Sequence, residues 1–360
     1  MKRVLFFFRG ARRVREQSGL PFPRDHFYGC LDWPEGVGSE AAYVEQGELP
    51  SGPVQAWWLA WLQPVVYALG RIKLDHVLWF GRRKNLEFLN RHDVVVSMTL
   101  SQGIALAVLR RLGKLRSRLI YIATALDPEV PHALAWGVLR WVLVGSTVGS
   151  LGRGEQRVLE KRLGRPVKYV PFGIDTEYWS PGEDEQRRSY FLSVGDDARR
   201  DYEFLVRAWH KDWPELKLLT KRTIRTLLPE NVKWIAGGYE GGVSDDELRE
   251  LYRGAMAVVV PLIESSQPSG QSVALQAMAC GTPVVMARTE GFWEPGAFLH
   301  GENISYYECG NPEDFASVVN HLVSSADLCE QLGREARQMV EKSFHLRVTA
   351  EALESLSNER

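Results

Sequence analysis

Short apolar runs alternate with longer polar stretches along most of the chain. In the first half, the apolar runs predict strands at residues 4–8, 94–98, 119–123 and 141–144, with a helix at 101–111. Runs of four or five apolar residues are typical of strands that are buried on both faces of a parallel sheet. The alternation of strand and helix predicts a doubly wound α/β fold.

The second half repeats this pattern with greater regularity. Apolar runs predict six strands at residues 190–194, 216–219, 232–236, 257–261, 283–286 and 304–307. The apolar positions of residues 326–357, among them Leu328, Leu332, Met339 and Phe344, have helical spacing. Residues 182–188, GEDEQRR, have the most linker-like composition in the chain.

Length and charge narrow the class of protein. At 360 residues the chain is long enough for two domains, each with its own core. The 44 basic and 45 acidic residues nearly cancel, so no global field indicates a nucleic-acid partner. Cys30, Cys280, Cys309 and Cys329 have no CxxC or metal-like spacing, which favours a reducing cytosol and argues against zinc.

Residues 54–72 come closest to the length of a membrane span, but polar residues and Pro64 interrupt them. Nearby aromatic residues are Trp57, Trp58, Trp61, Tyr67 and Trp79, and nearby basic residues are Arg71, Lys73, Arg82, Arg83 and Lys84. This composition fits a helix on an anionic membrane surface. Packing of the same aromatic residues in the core is the alternative.

Residues 261–285, PLIESSQPSGQSVALQAMACGTPVV, predict a strand, a turn, a helix and a strand in one piece. Ser269 is expected to cap the helix, Gly270 to let a ligand approach the backbone, and Gly281 to end the helix. The backbone amides at the start of a helix attract anions. We therefore expect an anion at the amides of Gln271, Ser272 and Val273.

Basic residues follow two of the predicted strands in the second half. Arg200, and next to it Arg199, come after the strand that ends before Gly195, and Lys221 follows the next strand. The ends of parallel strands form the ligand edge of a doubly wound sheet, and a guanidinium can hold phosphate oxygens bidentately. Pairing of these arginines with the neighbouring aspartates, and a solvated position for Lys221, are the alternatives.

The order and spacing of four segments resemble those of retaining GT-B glycosyltransferases (glycosyl transferases group 1). The segments are 170–181, VPFGIDTEYWSP; 191–202, FLSVGDDARRDY; 243–262, VSDDELRELYRGAMAVVVPL; and 261–285. The resemblance covers residue 93 to the C-terminus. It implies two Rossmann-like doubly wound domains facing a central cleft, an acceptor domain at 1–176 and a nucleotide-sugar domain at 177–342. A last helix at 343–360 would cross back to the first domain.

The resemblance also assigns roles, with some departures from the family's pattern. Two family glutamates correspond to Pro268 and Gln276, so the resemblance implies that Gln276 binds the ribose as a neutral amide. The family's glutamate at the position of Pro268 contacts the donor sugar, and Glu264 is the nearest residue that could replace it. We expect Gln276→Glu to keep activity. Arg200 and Arg199 would stabilise the leaving diphosphate, and Val243 and Ser244 would lie near the base. Ser244 and Glu247 also form a capping-box pattern.

The acceptor side is less specific. The loop after the first strand, residues 9–19, carries four arginines and one glutamate, so Arg9 and Gly10 are candidates for an acidic acceptor or anionic head groups. A solvated loop is the alternative. The family often has a histidine after the strand at 119–123, where this chain has Thr124. His26 and His132 are candidates by chemistry only, and each has a structural alternative.

The function implied by this resemblance is transfer of a sugar from a UDP- or GDP-linked donor to a glycan, lipid or small-molecule acceptor, with retention. No metal and no further cofactor are expected, and the location is the cytoplasm or the inner face of its membrane. Two other functions stay open. They are a sugar-nucleotide epimerase on the same scaffold, and a non-catalytic nucleotide-sugar-binding subunit.

Overall fold

The structure is a computed structural model that describes residues 1–36, 38–54, 57–124, 126, 130, 132–182, 188–235 and 242–359. The chain forms two compact units. Unit 1 contains Met1–Leu20, His26–Pro171 and Arg347–Arg360, and unit 2 contains Pro21–Asp25 and Phe172–Leu346. The units change at 171 and 346, where the sequence predicted 176 and 342. The inclusion of Pro21–Asp25 in unit 2 had no signal in the sequence, and most of the predicted linker lies outside the described residues.

Unit 1 contains a six-stranded parallel sheet in the order β2-β1-β3-β4-β5-β6. Its strands are β1 Lys2–Phe8, β2 Ser39–Glu45, β3 Val94–Ser97, β4 Arg118–Ile122, β5 Thr147–Ser150 and β6 Lys168–Tyr169. Its helices are α1 Arg12–Gln17, α2 Gln63–Gly70, α3 Leu74–Phe80, α4 Arg83–Leu89, α5 Leu100–Arg111, α6 Ala133–Val142 and α7 Arg153–Leu163. The C-terminal helix α13, Leu346–Asn358, also belongs almost wholly to this unit.

The core of unit 1 follows from the apolar runs. Residues 4–8 of β1 are all buried, and Phe7 meets Phe80 of α3 edge to face at 5.0 Å. Helix α5 lies very close to β4, because a Cβ at Gly103 would be 2.2 Å from Cδ2 of Tyr121. Glycine is therefore required where this helix crosses the sheet.

Unit 2 contains a second six-stranded parallel sheet in the order β12-β11-β10-β7-β8-β9. Its strands are β7 Tyr190–Val194, β8 Glu215–Leu219, β9 Val232–Ile235, β10 Ala255–Val260, β11 Val284–Arg288 and β12 Ser305–Glu308. Its helices are α8 Tyr202–Ala208, α9 Asp245–Gly254, α10 Gln271–Ala279, α11 Pro312–Ser324 and α12 Ala326–Ser343.

The end of α10 is fixed by α12. A Cβ at Gly333 of α12 would be 2.2 Å from the carbonyl oxygen of Gly281, which has φ +73° and follows α10. Arg337 of α12 donates hydrogen bonds to the carbonyls of Trp179, Ala279 and Thr176. The predicted helix stop at Gly281 is confirmed, and the helix it ends is held firmly in unit 2.

One strand prediction for unit 1 was wrong, and strand β2 was missed. Residues 141–144 form the last turn of α6 and the residues after it, and the strand lies at Thr147–Ser150. The apolar residues there belong to a helical pattern, in which Trp136, Leu139 and Val142 are buried. Strand β2 was missed because only Ser39 and Val44 of its seven residues are buried.

Candidate functional site

The candidate site lies at the carboxyl edge of the unit 2 sheet. Numbered along unit 2, the strand order corresponds to 6-5-4-1-2-3, which is the Rossmann order, and the switch point falls between β7 and β10. The loops after these two strands pair through the backbone. Arg200 forms an isolated antiparallel bridge with Leu262, and the N–H of Ile263 donates to the carbonyl of Arg199. The sheet and this bridge place both loops at the point where such folds bind ligands.

The guanidinium of Arg200 is buried at this edge, and the residue is 4 % exposed. A Cβ at Gly195 would be 2.7 Å from Nε, and a Cβ at Gly270 would be 2.7 Å from Nη1. Both glycines therefore make room for the guanidinium. Within the part of the chain that the structure describes, Nε and Nη1 of Arg200 have no hydrogen-bond partner. Because buried charged donors without partners are costly, this arrangement fits an anionic ligand.

Helix α10 begins beside this guanidinium. Its N-cap is Gly270, with φ +80°, so the predicted cap at Ser269 is wrong by one residue. The hydroxyl of Ser269 is buried and has no partner among the described residues. The first N–H of the helix to bond back along the chain is that of Ala274, to the carbonyl of Gly270. The N–H groups of residues 271–273 thus precede the helical bonding and lie at its positive end.

The aspartates of the loop after β7 organise the edge. Asp196 accepts from the hydroxyl of Thr220 at 3.1 Å and from the N–H of Lys221 at 2.6 Å. Arg222 donates from Nη1 to the carbonyl of Asp197 at 2.6 Å. Arg199 is half-buried, and Lys221 is exposed. The backbone of Lys221, and not only its ammonium group, is therefore part of the edge.

Glu264 lies in the loop after β10, and its carboxylate ties two loops together. It accepts from the N–H of Ser265 at 3.0 Å and from the N–H of Glu290, after β11, at 2.8 Å. Gly291 allows this approach, because a Cβ there would be 2.4 Å from the carbonyl oxygen of Gln267. Glu264 is exposed at the same edge as Arg200, and half-buried Pro268 supplies no charge.

Gln276 has partners that the sequence did not indicate. It is 2 % exposed, donates from Nε2 to Oδ2 of Asp25 at 3.0 Å, and accepts from the hydroxyl of Tyr252 at 3.2 Å. Asp25 also accepts from Nε1 of Trp179 at 2.7 Å and from the N–H of Asp175 at 2.6 Å. Both ends of the Gln276 amide are thus used inside unit 2, which does not support the predicted ribose contact.

The same cluster changes the expectation for Gln276→Glu. Burial raises the pKa of Asp25 to about 6, although its three N–H donors act in the opposite direction. A glutamate at 276 would place a second carboxylate about one hydrogen-bond length from the first, and two such groups do not both ionise readily. The structure therefore favours an amide at position 276. Sequence reasoning missed Asp25 because it lies 251 residues away along the chain.

The predicted base-side residues stand at the start of α9. The capping box of Ser244 and Glu247 is confirmed, with the hydroxyl of Ser244 accepting from the N–H of Glu247 and the Glu247 carboxylate accepting from the N–H of Ser244. Val243 is half-buried just before the helix. Residues 236–241, which precede both, lie outside the described residues.

The acceptor-side candidates lie in unit 1. Arg9 and Gly10 follow β1, and Thr124 follows β4 and donates to the carbonyl of Met98 at 3.0 Å. Burial, together with Arg15 and Arg12, lowers the pKa of His26 to about 4, so this imidazole is neutral at pH 7. His132 is exposed just before α6. Ala125, which follows Thr124 in the chain, lies outside the described residues.

The segment with four arginines, residues 9–19, includes helix α1. The side chains of Arg12 and Arg13 bind neighbouring groups of unit 1. Arg12 stacks 4.0 Å from the ring of Phe8 and donates from Nε to the carbonyl of His26 at 2.7 Å. Arg13 pairs with Glu48 at 2.9 Å. Neither the anion-binding loop nor the solvated loop that the sequence left open anticipated helix α1 at residues 12–17. The cationic character of this edge is smaller than four arginines suggest.

The structure has two Rossmann-like sheets, and one of them has a buried guanidinium and a helix N-terminus at its switch point. This is the arrangement at which doubly wound α/β proteins bind phosphorylated ligands. Comparisons with known proteins refine this class. Residues 191–339, which make up most of unit 2, match the family model described as glycosyl transferases group 1. Unit 2 thus matches this family, and the two Rossmann-like units of the chain have the GT-B fold.

Two curated relatives are similar to part of the chain. The chain is 29 % identical over 225 residues to a D-inositol 3-phosphate glycosyltransferase of Corynebacterium jeikeium, which covers 54 % of this chain and 52 % of that protein. It is 34 % identical over 104 residues to an uncharacterised glycosyltransferase of Methanocaldococcus jannaschii, covering 29 % of this chain and 25 % of the relative. The chain thus spans about half the length, or less, of these curated relatives.

Two solved structures resemble the chain along its whole length. The Anabaena protein HepE, in complex with UDP and glucose, has a TM-score of 0.67 and 15 % identity, covering 100 % of both chains. The sucrose-phosphate synthase of Thermosynechococcus elongatus has a TM-score of 0.70 and 16 % identity, covering 99 % of this chain and 98 % of that one. At these identities the likeness shows the fold alone. Among the described residues, no helix combines the length and the apolar character of a membrane span.

Proposed function

We propose that the protein transfers a glycosyl unit from a nucleotide-diphosphate sugar to an acceptor. One observation carries the proposal: the buried guanidinium of Arg200 lies beside the N-terminal amides of α10, and two of its N–H groups have no partner in the described part of the chain. A diphosphate would accept from both. It is also the leaving group of the transfer, so donors fixed there would stabilise the charge that develops on it.

The base and the sugar of the donor are open to direct test, and UDP is the first nucleotide to use. The structurally similar HepE has been solved with UDP and with UDP-glucose. The carboxylate of Glu264 contacts the loop after β11, beside α10. We therefore propose that Glu264 makes the sugar contact that the family's glutamate makes at the position of Pro268. Arg199 and Lys221 would add positive charge, and Val243 and Ser244 would lie near the base.

Retention of the anomeric centre and independence of metal are further parts of the proposal. Both come from the resemblance to the family. Product stereochemistry by proton NMR tests retention, because an inverted anomer would contradict it. Unchanged turnover in excess EDTA is expected, and loss of turnover that Mg²⁺ or Mn²⁺ restores would contradict metal independence.

The acceptor is a glycan, a lipid or a small molecule, and it would meet unit 1. Arg9, Gly10 and Thr124 lie in loops at the carboxyl edge of that unit's sheet, which is where such sheets bind ligands. D-inositol 3-phosphate belongs in the acceptor panel because curated relatives carry it in their names. A cytoplasmic enzyme with a lipid acceptor would also work at the membrane surface.

A transfer assay separates the three functions. The protein is incubated with UDP- and GDP-sugars, with and without an acceptor panel, and the products are identified by mass spectrometry and NMR. We expect a new glycoside together with one equivalent of nucleoside diphosphate. An epimerised donor without acceptor would indicate the epimerase instead. Donor binding with no product over the whole panel would indicate a non-catalytic subunit.

A further inference from the structure

Unit 1 carries an exposed aromatic surface that its core does not explain. Trp57, Trp58 and Trp61 are 81, 55 and 75 % exposed, whereas Trp79 is buried and donates its Nε1 to the carbonyl of Ser51 at 2.6 Å. The five aromatic residues that the sequence placed in one group thus divide into buried Trp79, half-buried Tyr67 and three exposed tryptophans. Three exposed tryptophans within five residues are far more apolar than an ordinary protein surface.

Helix α3 contributes to two cavities, one beside the exposed tryptophans and one with basic residues in its lining. Leu59 and Ala60, which lie between the tryptophans in the chain, line a cavity of about 500 Å³ together with Leu74 of α3. Leu78, one turn further along α3, lines a second and larger cavity of about 960 Å³. Because residues four apart lie on the same side of a helix, the two cavities are neighbours along α3.

The larger cavity has an apolar lining and a cationic rim. Leu86 and Leu109 contribute to the lining, and Arg91, Lys114 and Arg116 contribute exposed cations. The one carboxylate in the lining, that of Glu87, is paired with Arg83 at 2.8 Å. No carboxylate among the described residues pairs with Arg91, Lys114 or Arg116.

The net charge of the chain around both cavities also favours an anionic partner. Residues 51–144 contain twelve Lys and Arg against five Asp and Glu, a net charge of +7, although the whole chain carries −1. The positive charge of the protein is thus concentrated in the segment that holds the tryptophans and both cavities. Tryptophans beside lysines and arginines suit a bilayer interface, where the rings enter the head-group region and the cations meet lipid phosphates.

We infer that this face of unit 1 docks on a bilayer of anionic phospholipid. Trp57, Trp58 and Trp61 enter the interface, and the rim of Arg91, Lys114 and Arg116 holds a lipid head-group phosphate above the apolar lining. The inference does not depend on the glycosyl-transfer reaction. Each cation near an anionic membrane contributes about 1 kcal/mol, so removal of three corresponds to an affinity loss on the order of 100-fold at low salt.

Co-sedimentation with vesicles tests this surface. The full chain is mixed with vesicles of phosphatidylcholine alone or with one quarter phosphatidylglycerol, at low and high salt. Wild type is expected to bind the anionic vesicles at low salt, and binding is expected to weaken in high salt. Arg91→Gln/Lys114→Gln/Arg116→Gln should lose that binding by the factor above. Trp57→Ser/Trp61→Ser should lose the part that persists in high salt.

A matched control removes the same charge from unit 2. Lys211→Gln/Arg334→Gln/Lys342→Gln takes three exposed cations from outside this face and should bind vesicles like wild type. Thermal unfolding and nucleotide binding report that each variant is folded and that its donor site is intact. Wild type that stays in the supernatant with anionic vesicles at low salt would overturn the inference. So would an equal loss in the control, or binding to RNA as tight as to vesicles and unaffected by the tryptophan changes.

Discussion

Arginines at the carboxyl edges of the two sheets differ in how their charges are used. In unit 2, Arg200 is buried with two N–H groups that have no partner among the described residues. In unit 1, Arg12 stacks on Phe8 and donates to backbone carbonyls, and Arg13 pairs with Glu48. An arginine-rich loop in a sequence therefore does not by itself indicate an anion site. The informative feature is a buried cation whose donors the fold leaves unused.

The largest expected effect concerns the residue that most alters the family's pattern in unit 2. Gln276→Glu should lower the free energy of unfolding at pH 8 by about 3–5 kcal/mol, because it buries a second carboxylate against Asp25 without a cation. The loss should be smaller at pH 5, where the pair can share a proton. Chemical denaturation at both pH values measures it.

Two control variants sharpen this test. Gln276→Met removes the hydrogen bonds without adding charge and should cost less than the glutamate. Asp25→Asn/Gln276→Glu exchanges amide and carboxylate and should recover most of the stability. If Gln276→Glu alone is as stable as wild type at pH 8, Asp25 is not the partner that selects the amide.

A smaller effect is expected from the titration of Asp25. Its pKa is raised from 3.8 in the unfolded chain to about 6, so the folded state holds a proton that the unfolded state loses first. The stabilisation is complete below pH 4 and is lost as pH rises through 6, by about 3 kcal/mol at most. The facing charged group is Asp175, which is paired with Arg24 at 2.8 Å. Asp25→Asn should remove this part of the pH dependence, and an unchanged slope would assign it to other groups.

The smallest effect tests the unit 1 side of the comparison. Arg12→Ala should lower the free energy of unfolding by about 1–2 kcal/mol, because it removes a cation–π contact and the packing of a long side chain on Phe8. Nucleoside diphosphate affinity should not change. A clear loss of that affinity would mean that the arginines of the two edges are not used differently.

The sequence predicted the elements of unit 2 well because its buried strands are unbroken apolar runs, as in residues 190–194, which are β7. It failed at residues 141–144, where apolar residues at helical spacing were taken for a strand. Arg200 was predictable from its place after a strand end. Asp25 was not, because a buried partner of Gln276 from a distant segment leaves no local pattern. The cap at Ser269 was misplaced because Gly270, with φ +80°, ends the turn one residue later.

The central claim is that Arg200 and the start of α10 hold the donor diphosphate. Isothermal titration of UDP and GDP into wild type, Arg200→Ala and Arg207→Ala tests it most directly, with Arg207 as an exposed arginine of α8 in the same unit. A charged hydrogen bond contributes about 1.5–3 kcal/mol, so Arg200→Ala should bind about 10- to 100-fold more weakly while Arg207→Ala binds like wild type. Equal affinities for wild type and a folded Arg200→Ala would contradict the account.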